Sequence, residues 1–231
     1  MENGTLLAPG IIERYKKLDT TSVSDAVDKL GLPPCGLHKI TSVVQGTSIC
    51  GQAYTVHYLP CGTVKGTVGD YLDDVTPDQV VVIDNGGRDT CTVWGDIMAI
   101  AAKQANIAGT VIDGVCRDVP AIRRLQYPIF SKGCYMVTGK DRVYVDAVNV
   151  PVCVSGLQVN PGDLIVADDS GAIRVPLEHA LAVLDIAEGI AATEKHIEEL
   201  VLSGMPLKEA RRQTGYHKLQ THEPEKEASR S

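Results

Sequence analysis

The sequence lacks several features that would each indicate a class of protein. It has no excess of positive charge: the net charge is -7, which argues against nucleic acid as a partner, because binding phosphates calls for a basic surface. It has no apolar run long enough to span a membrane, and its first residues lack the basic start and apolar stretch of a signal peptide. We therefore expect a cytoplasmic protein with no membrane and no nucleic-acid partner.

Signatures of zinc, nucleotide and S-adenosylmethionine sites are also missing. The seven cysteines form no C-x-x-C pair and no Cys/His cluster with zinc spacing. Reduced, mostly buried thiols are expected, with a nucleophilic role for Cys116, beside Arg117, as the alternative. The glycine-rich stretches 62–70 and 84–88 fit neither G-x-G-x-x-G nor G-x-x-x-x-G-K-[ST], so nucleotide binding is unsupported.

Strands and helices are predicted to alternate in the centre of the chain. The apolar run in 75–85 predicts a buried strand, 94–109 a helix, 110–114 a second buried strand and 117–126 a short helix with Pro120 in its first turn. The helix 94–109 carries apolar residues on one face: Ile97, Ile100, Ala101 and Ala105. This order is that of a βαβ unit, so we predict a parallel sheet.

The flanking segments complete a single predicted domain over residues 8–220. Helices are predicted at 11–18 and 22–31, the second capped by Thr20, Thr21 or Ser22. Strands are predicted at 46–59, 128–133, 133–139 and 142–156, and a hairpin at 163–176 that turns on residues 168–171. The architecture is therefore α/β, with antiparallel strands added to a parallel core.

A helical arm is predicted over residues 177–220, and the polar residues 221–231 are predicted to be a disordered tail. The arm contains one long helix, 177–204, and a second amphipathic helix, 207–220. It covers either the sheet of its own domain or a neighbouring subunit, and the pattern alone leaves both alternatives open.

Charged residues are predicted to meet at one rim of the sheet. Ligands of open α/β sheets bind outside the carboxyl ends of the strands, and the loops 84–88 and 113–118 both follow strands there. Asp96 begins the intervening helix on the same side, whose N-terminus attracts anions. Asp118 could bind Mg²⁺, and Arg117 could donate hydrogen bonds to an enolate or carboxylate oxygen. Asp96 could accept a hydrogen bond from Arg117 or from a metal-bound water. Two helix caps and an Arg117–Asp96 salt bridge are the purely structural alternative.

The stretch WGDIMAIAAKQANIAGTVIDGVCRD resembles the D-x20-R-D motif of the RraA-like pyruvate aldolase family, with Asp96, twenty intervening residues and Arg117–Asp118. The resemblance extends through TTSVSDAVDKLG, GQAYTV, VNVPV, PGDLIVADDSGAIRVP and GMPLKEARRQTGYHKLQ. It implies a layered α/β/β/α fold. It also implies homotrimers or hexamers (dimers of trimers) with active sites at subunit interfaces, and a divalent-metal class II mechanism.

By this resemblance, each motif residue has an expected role. Asp118 is expected to bind Mg²⁺ or Mn²⁺, Arg117 to contact the keto or enolate oxygen of the pyruvyl unit, and Asp96 to orient the site. The pyruvyl carboxylate is expected at backbone amides of the turn formed by Gly95, Asp96, Ile97 and Met98. A lysine for the distal carboxylate falls near Lys140, Asp141 or Arg142, and a glutamate from a neighbouring subunit falls near Glu194.

The resemblance predicts cleavage of a 4-hydroxy-2-oxo acid to pyruvate and a second 2-oxo acid, with oxaloacetate decarboxylation as a further activity. A small anionic 2-oxo acid is thus the expected substrate. One alternative is a non-catalytic regulator of a ribonuclease, although such members depart from the metal motif that this sequence retains. Another is an oxaloacetate decarboxylase or related lyase with a different substrate.

Overall fold

The structure, a computed structural model, describes residues 7–63, 65–216 and Leu219. Its helices are α1 (Pro9–Tyr15), α2 (Thr20–Lys29), α3 (Asp96–Gln104), α4 (Val119–Leu125), α5 (Ala180–Leu202) and α6 (Leu207–Thr214), with 3-10 turns at Asp70–Asp74 and Leu177–His179. Its strands are β1 (Thr41–Ser42), β2 (Ile49–Pro60), β3 (Val80–Thr92), β4 (Gly109–Cys116), β5 (Ile129–Cys134), β6 (Val143–Val148), β7 (Val152–Val154), β8 (Leu157–Val159), β9 (Leu164–Asp168) and β10 (Gly171–Val175). None of the helices described is both long and apolar enough to cross a membrane.

Four adjacent parallel strands form the centre of the main sheet: β3 and β4 are the parallel pair that the sequence predicts, and β2 and β5 flank them in parallel. The order is β1-β5-β4-β3-β2-β9-β10, and β2 through β5 run parallel to one another. Antiparallel strands extend this core: β9 and β6 pair with β2, β10 pairs with β9 in the predicted hairpin, and β1 pairs with β5. The long strand β2 pairs with β9 through its first residues and with β3 further on, so it joins two sheet layers.

Three apolar clusters separate the layers of the fold. In the first, Ile83 and Ile112 of the parallel strands pack with Ala99 of α3 and Ile122 of α4. In the second, residues of the opposite sheet face pack with β7, β8, β9 and β10: Val80, Val111, Phe130, Val152, Ile165 and Ala172. In the third, residues of β9 and β10 pack with α1, α2 and α5: Tyr15, Val23, Leu164, Ile173 and Leu184. This is the layered α/β/β/α fold.

The strand β3 is longer than predicted, which changes how the chain reaches α3. The prediction placed a loop from Asn85 to Gly95, whereas β3 continues to Thr92. Gly86 and Gly87, at φ 61° and 67°, allow a bulge, and the pairing with β4 shifts between Asp84 and Arg88. These two glycines had suggested a ligand-binding loop. In the structure they form the bulge, after which β3 continues.

The start of α2 and the course of β5 also differ from the predictions. Asp19, rather than Thr20, Thr21 or Ser22, caps α2: its carboxylate accepts a hydrogen bond from the Ser22 backbone N–H at 2.7 Å. The predicted strand over 133–139 is wrong beyond Cys134, where β5 ends and a single bridge at Thr138 follows.

The apolar face predicted for α3 is exposed in the chain. Ile97 is 76% exposed and Ile100 50%, whereas Ala99 and Ala102 are buried. Of the larger side chains of this helix, only Met98 packs partly against the core. Ile97 and Ile100 form an exposed apolar patch beside the start of α3.

The first part of the helical arm covers its own chain. Val183, Leu184, Ala187 and Ile190 of α5 are buried in the cluster that includes α1 and α2. Further along, Leu202 is 78% exposed. The helix α6 ends at Thr214, and residues 217, 218 and 220 of the predicted second arm helix lie outside the described residues, as does 221–231.

Candidate active site

The two βα junctions bring the three motif residues together at the carboxyl ends of β3 and β4. Asp96 begins α3, and Arg117 and Asp118 lie between β4 and α4. The Oδ2 atom of Asp118 accepts a hydrogen bond from the Asp96 backbone N–H at 3.3 Å and lies 3.3 Å from Nε of Arg117. Residues with twenty others between them in sequence therefore meet at one rim, as the parallel topology predicts.

Asp118 has an unusual backbone conformation that directs its carboxylate toward α3. Its φ of 58° and ψ of 30° lie in the left-handed region, which aspartate tolerates better than most residues. Its side chain makes no capping hydrogen bond to α4, so the capping role considered for it is wrong. Its Oδ1 atom has no hydrogen-bond partner among the described residues, which leaves one oxygen available to a ligand.

Asp96 and Arg117 are held by contacts other than the salt bridge considered between them. Oδ1 of Asp96 accepts a hydrogen bond from the Ile97 backbone N–H at 2.8 Å, which satisfies one free donor of the helix start. The backbone N–H of Arg117 donates to the Trp94 carbonyl at 3.0 Å. In the described part of the chain, Arg117 pairs with Asp118 and not with Asp96, so its terminal guanidinium nitrogens remain open to a ligand.

Gly95 allows the close approach of Arg117 and Asp118 to α3. It occupies the cap position of the helix in an extended conformation. A Cβ atom at this position would lie 2.7 Å from Oδ2 of Asp118 and 3.2 Å from Nε of Arg117. Any side chain here would therefore displace the charged pair.

A cleft of about 440 Å³ opens beside these residues. Asp96 and Arg117 line it, together with Gly95, Ile97 and Met98. Residues 66–70 and 138–140 provide further walls, of which only Lys140 was expected from the sequence. These add two charged residues, Asp70 and Lys140. The glycine-rich composition of 62–70 was the one sequence signal for the first of these walls. Gly69 allows that wall to lie close to α3, because a Cβ at Gly69 would lie 3.1 Å from Sδ of Met98.

Of the three residues considered for the distal carboxylate, Lys140 lines the cleft. Asp141 pairs with Lys65 at 3.3 Å, and Arg142 donates a hydrogen bond to the Thr138 carbonyl at 3.1 Å. Glu194 does not line the cleft of its own chain but a separate groove between α5 and α6. Burial and the charges of Asp25 and Asp19 raise its pKa.

Two further acids predicted at the rim serve the fold. Asp84 is 7% exposed, and its carboxylate accepts hydrogen bonds from the backbone N–H groups of Gly86 at 2.8 Å and Cys153 at 3.0 Å. Asp113 is 5% exposed and lies 2.5 Å from Nζ of Lys132. Both carboxylates are occupied by protein groups, so neither is a candidate for substrate contact.

A larger cavity, about 570 Å³, lies at the opposite ends of the parallel strands. Its lining includes Asp78 and Ala108, which precede β3 and β4. Lys16, which also lines it, is already paired with Glu13 at 2.7 Å. The smaller cleft is the better candidate, because ligands of such sheets bind at the carboxyl ends of the strands.

The donor set at the cleft restricts which metal the chain could hold. No group of three or more His, Cys, Asp or Glu side chains with metal-binding geometry occurs within the described residues. A zinc site of protein ligands is thus not formed there. One available carboxylate fits Mg²⁺ or Mn²⁺, since Mg²⁺ is often bound through one or two carboxylates and retains several waters. Asp118 is the residue placed to provide it.

Cys116 does not have the environment of a nucleophile toward a substrate in the cleft. It is fully buried, and its hydrogen bond with Cys134 together with burial raises the pKa of its thiol. The thiolate is the reactive form, so a raised pKa and exclusion from solvent both disfavour attack on a substrate in the cleft.

Residues 20–174 match the sequence profile of the family described as "RraA-like: Aldolase/RraA". The chain belongs to the RraA-like family. One RraA-like relative, from Halalkalibacterium halodurans, carries the provisional name 4-hydroxy-4-methyl-2-oxoglutarate aldolase. It is 32% identical over 196 residues, which are 82% of this chain and 88% of that protein. Protein DlpA of Legionella pneumophila is 39% identical over 206 residues, 88% of this chain, but the chain spans only 33% of DlpA.

Solved structures of similar proteins show the same fold. An uncharacterized protein from Pseudomonas syringae pv. tomato has a TM-score of 0.84 at 42% identity, over 90% of this chain and 99% of that one. Streptomyces coelicolor RraAS2, described as an unusual member of the RNase ES inhibitor RraA family, has a TM-score of 0.76 at 28% identity, over 81% of this chain and 96% of that one. The RraA-like fold predicted for the chain is thus confirmed.

Proposed function

We propose that this protein is a divalent-metal-dependent aldolase that cleaves a 4-hydroxy-2-oxo acid into pyruvate and a second 2-oxo acid. The observation that carries the proposal is the pairing of Asp118 with the first residue of α3 and with Arg117, which lines the cleft. The provisional aldolase name of the relative from H. halodurans supports the same class of reaction.

Arg117 is the residue proposed to stabilise the negative charge of the reaction. When the C3–C4 bond of the substrate breaks, charge develops on the oxygen of the pyruvyl unit. Arg117 lines the cleft, and its terminal nitrogens can donate two hydrogen bonds to that oxygen or to the adjacent carboxylate. Loss of one such donor from an enzyme costs about 3–4 kcal/mol of transition-state stabilisation.

Asp118 is proposed to hold a Mg²⁺ or Mn²⁺ ion through its available oxygen. When bound, the ion would act as a Lewis acid toward the 2-oxo acid end of the substrate. The protein's own contribution is orientation: the Asp96 N–H and the Arg117 guanidinium fix the Asp118 carboxylate from two sides. Fixed ligands reduce the reorganisation needed during the reaction.

Two carboxylates line the cleft and can accept the proton of the C4 hydroxyl, directly or through a water: Asp96 and Asp70. Decarboxylation of oxaloacetate requires the same charge stabilisation on the pyruvyl oxygen but no such base. We therefore propose oxaloacetate decarboxylation as a second activity of the same cleft.

Lys140 supports a substrate with a carboxylate at its far end. It is the cation of the cleft wall opposite α3, and the chain's net charge of -7 makes a local positive group necessary for an anionic substrate. The Lys140→Ala variant should raise KM for a dicarboxylic substrate more than for one that lacks the distal carboxylate. Lys65→Ala is the matched control, because Lys65 is a lysine close in space that pairs with Asp141.

A second copy of the chain is the proposed cover of the exposed face of α3. Ile97 both lines the cleft and is 76% exposed, so the patch formed by Ile97 and Ile100 begins at the rim of the site. A trimer or hexamer that buried this patch would place a neighbouring subunit beside the substrate. Light scattering on the purified protein tests this, and a monomer would contradict it.

The proposed function is tested by the release of pyruvate from two substrates. Oxaloacetate and 4-hydroxy-4-methyl-2-oxoglutarate are each supplied with Mg²⁺ and, separately, with EDTA. Metal-dependent release of pyruvate from both is the expected result. Release of pyruvate from oxaloacetate alone would indicate a decarboxylase, or a lyase with another substrate, in place of the proposed aldolase.

A non-catalytic regulator is the second candidate, because RraAS2 belongs to a family described as inhibitors of a ribonuclease. The retained Asp96, Arg117 and Asp118 favour the enzyme. No pyruvate from either substrate, together with inhibition of a ribonuclease by the pure protein, would favour the regulator instead.

A further inference from the structure

Two thiols lie side by side where β4 and β5 end. Cys116 and Cys134 are the last residues of these strands and are directly opposite each other in the parallel pairing. Their Sγ atoms are 3.9 Å apart. Since an S–S bond is about 2.0 Å long, a displacement of roughly 2 Å would join them.

The two thiols differ in access to solvent and in acidity. Cys134 is exposed, whereas Cys116 is fully buried. The hydrogen bond from Cys116 lowers the pKa of Cys134 below that of an ordinary thiol, and the charge of Arg123 acts in the same direction. In such an arrangement the accessible, more acidic thiol is oxidised first to a sulfenic acid. The second thiol then forms a disulfide with it.

This pair is coupled to the candidate active site through the backbone. Cys116 directly precedes Arg117, whose N–H donates to the Trp94 carbonyl at 3.0 Å. The Cys116 carbonyl accepts a hydrogen bond from the Tyr135 N–H at 2.9 Å. Movement of the Cys116 side chain toward Cys134 would therefore also shift the peptide bond that positions Arg117, and with it Asp118.

We propose that Cys134 and Cys116 are a redox-active dithiol, which a peroxide oxidises to a disulfide that displaces Arg117 and switches the site off. The Cys134 thiolate attacks one peroxide oxygen, the O–O bond breaks, and a sulfenic acid forms with release of hydroxide, or water after protonation. The Cys116 thiol then attacks the Cys134 sulfur. The S–O bond breaks, and the departing oxygen leaves as water with the thiol proton. In total, two thiols and one hydrogen peroxide give one disulfide and two waters.

The disulfide is tested by peptide mapping of the full chain. Trypsin places the two cysteines in separate peptides, 104–117 and 133–140, because Lys103, Arg117, Lys132 and Lys140 flank them. The protein is treated with hydrogen peroxide, its remaining thiols are alkylated, and the digest is analysed without reductant. We expect the linked pair of peptides, and its disappearance after dithiothreitol. If Cys134 is instead found only as sulfinic acid or unmodified, the proposal is overturned.

The coupling to the site is tested with the fluorescence of Trp94, the only tryptophan in the chain. Peroxide should shift its emission in the wild type, and dithiothreitol should restore it, whereas Cys134→Ser should show no shift. Cys153→Ser is the matched control, because Cys153 is also exposed, and it should behave as the wild type. The same shift in Cys134→Ser, or a disulfide that forms without any shift, would overturn the coupling.

These two readouts do not depend on the reaction that the cleft catalyses, so they also distinguish failure of this proposal from failure of the proposed aldolase. Where pyruvate release is measured, it should fall by at least tenfold in the oxidised wild type and recover with dithiothreitol. Undiminished turnover in a sample fully linked between Cys116 and Cys134 would contradict the switch.

Discussion

The carboxylate of Asp118, at the start of α4, accepts a hydrogen bond from the backbone N–H of Asp96, the first residue of α3, at 3.3 Å. This contact joins the two βα junctions of the central sheet. It fixes one oxygen of Asp118 and leaves the other without a partner in the described chain. The backbone of Asp118 is in the left-handed region, a conformation whose cost is usually compensated where it serves a function.

Gly95→Ala should lower activity strongly with little loss of stability. The added Cβ would lie 2.7 Å from Oδ2 of Asp118, and the flexible end of that side chain can move away at small cost. The free energy of unfolding should fall by about 1 kcal/mol, mostly because alanine is a poor helix cap. Gly189→Ala in α5 is the control, since no atom lies within 4 Å of its added Cβ, and it should retain full activity. Equal activity of the two variants in the pyruvate assay would mean that the position of Asp118 does not matter.

Arg117→Lys should reduce kcat by about 100- to 1000-fold, because a lysine offers a point charge in place of two parallel donors. Thermal unfolding should hardly change: the Arg117 and Asp118 side chains are 39% and 36% exposed, and such pairs contribute about 0–1 kcal/mol. Steady-state kinetics and a melting curve on the same preparation separate the two effects. A variant with wild-type kcat would remove Arg117 from the mechanism.

Lys132→Ala should destabilise the fold by about 3–5 kcal/mol, because it leaves the buried carboxylate of Asp113 without its cation. Lys65→Ala is the control: the Lys65 and Asp141 side chains are 65% and 55% exposed, so loss of their pair should cost at most about 1 kcal/mol. Urea unfolding of both variants measures the difference. Two equal midpoints would show that Asp113 does not depend on Lys132.

Cys134 should be alkylated half-maximally at a lower pH than an ordinary thiol, since its pKa is lowered and the thiolate fraction rises with pH through the pKa. An ordinary thiol has a pKa of about 8.5 and should reach half-maximal alkylation at a correspondingly higher pH. Iodoacetamide labelling followed by mass spectrometry gives the profile for Cys134 alone. In Cys116→Ala the profile should move to higher pH, because the hydrogen bond from Cys116 is the main cause of the low pKa; an unmoved profile would contradict that cause.

The parallel core and the meeting of the motif residues could be predicted from the sequence, because both follow from simple rules. Unbroken apolar runs such as Val80–Ile83 mark strands buried on both faces, and a helix between two of them makes the strands parallel. The carboxyl ends of parallel strands share one rim, so Asp96 and the Arg117–Asp118 pair were expected to meet. The contact between Asp96 and Asp118 bears this out.

Other parts of the site could not be predicted, because they depend on contacts between segments distant in sequence. Nothing local shows that residues 66–70 and 138–140 line the cleft with α3. The exposed Ile97 and Ile100 were assigned to one apolar face correctly, but periodicity does not show whether such a face meets its own sheet or another chain. Likewise, the sequence alone makes Asp113 a plausible ligand-binding residue at the rim. Only the structure shows that it is buried and paired with Lys132.

The most direct test of the central claim is the exchange of the methyl protons of pyruvate in D₂O, followed by NMR. This exchange requires the enolate that Arg117 and a cation held by Asp118 are proposed to stabilise, and it requires no particular aldol substrate. We predict exchange by the wild type with Mg²⁺, none with EDTA, and none by Asp118→Asn, whose fold should be intact by circular dichroism. Undiminished exchange by Asp118→Asn would contradict the account.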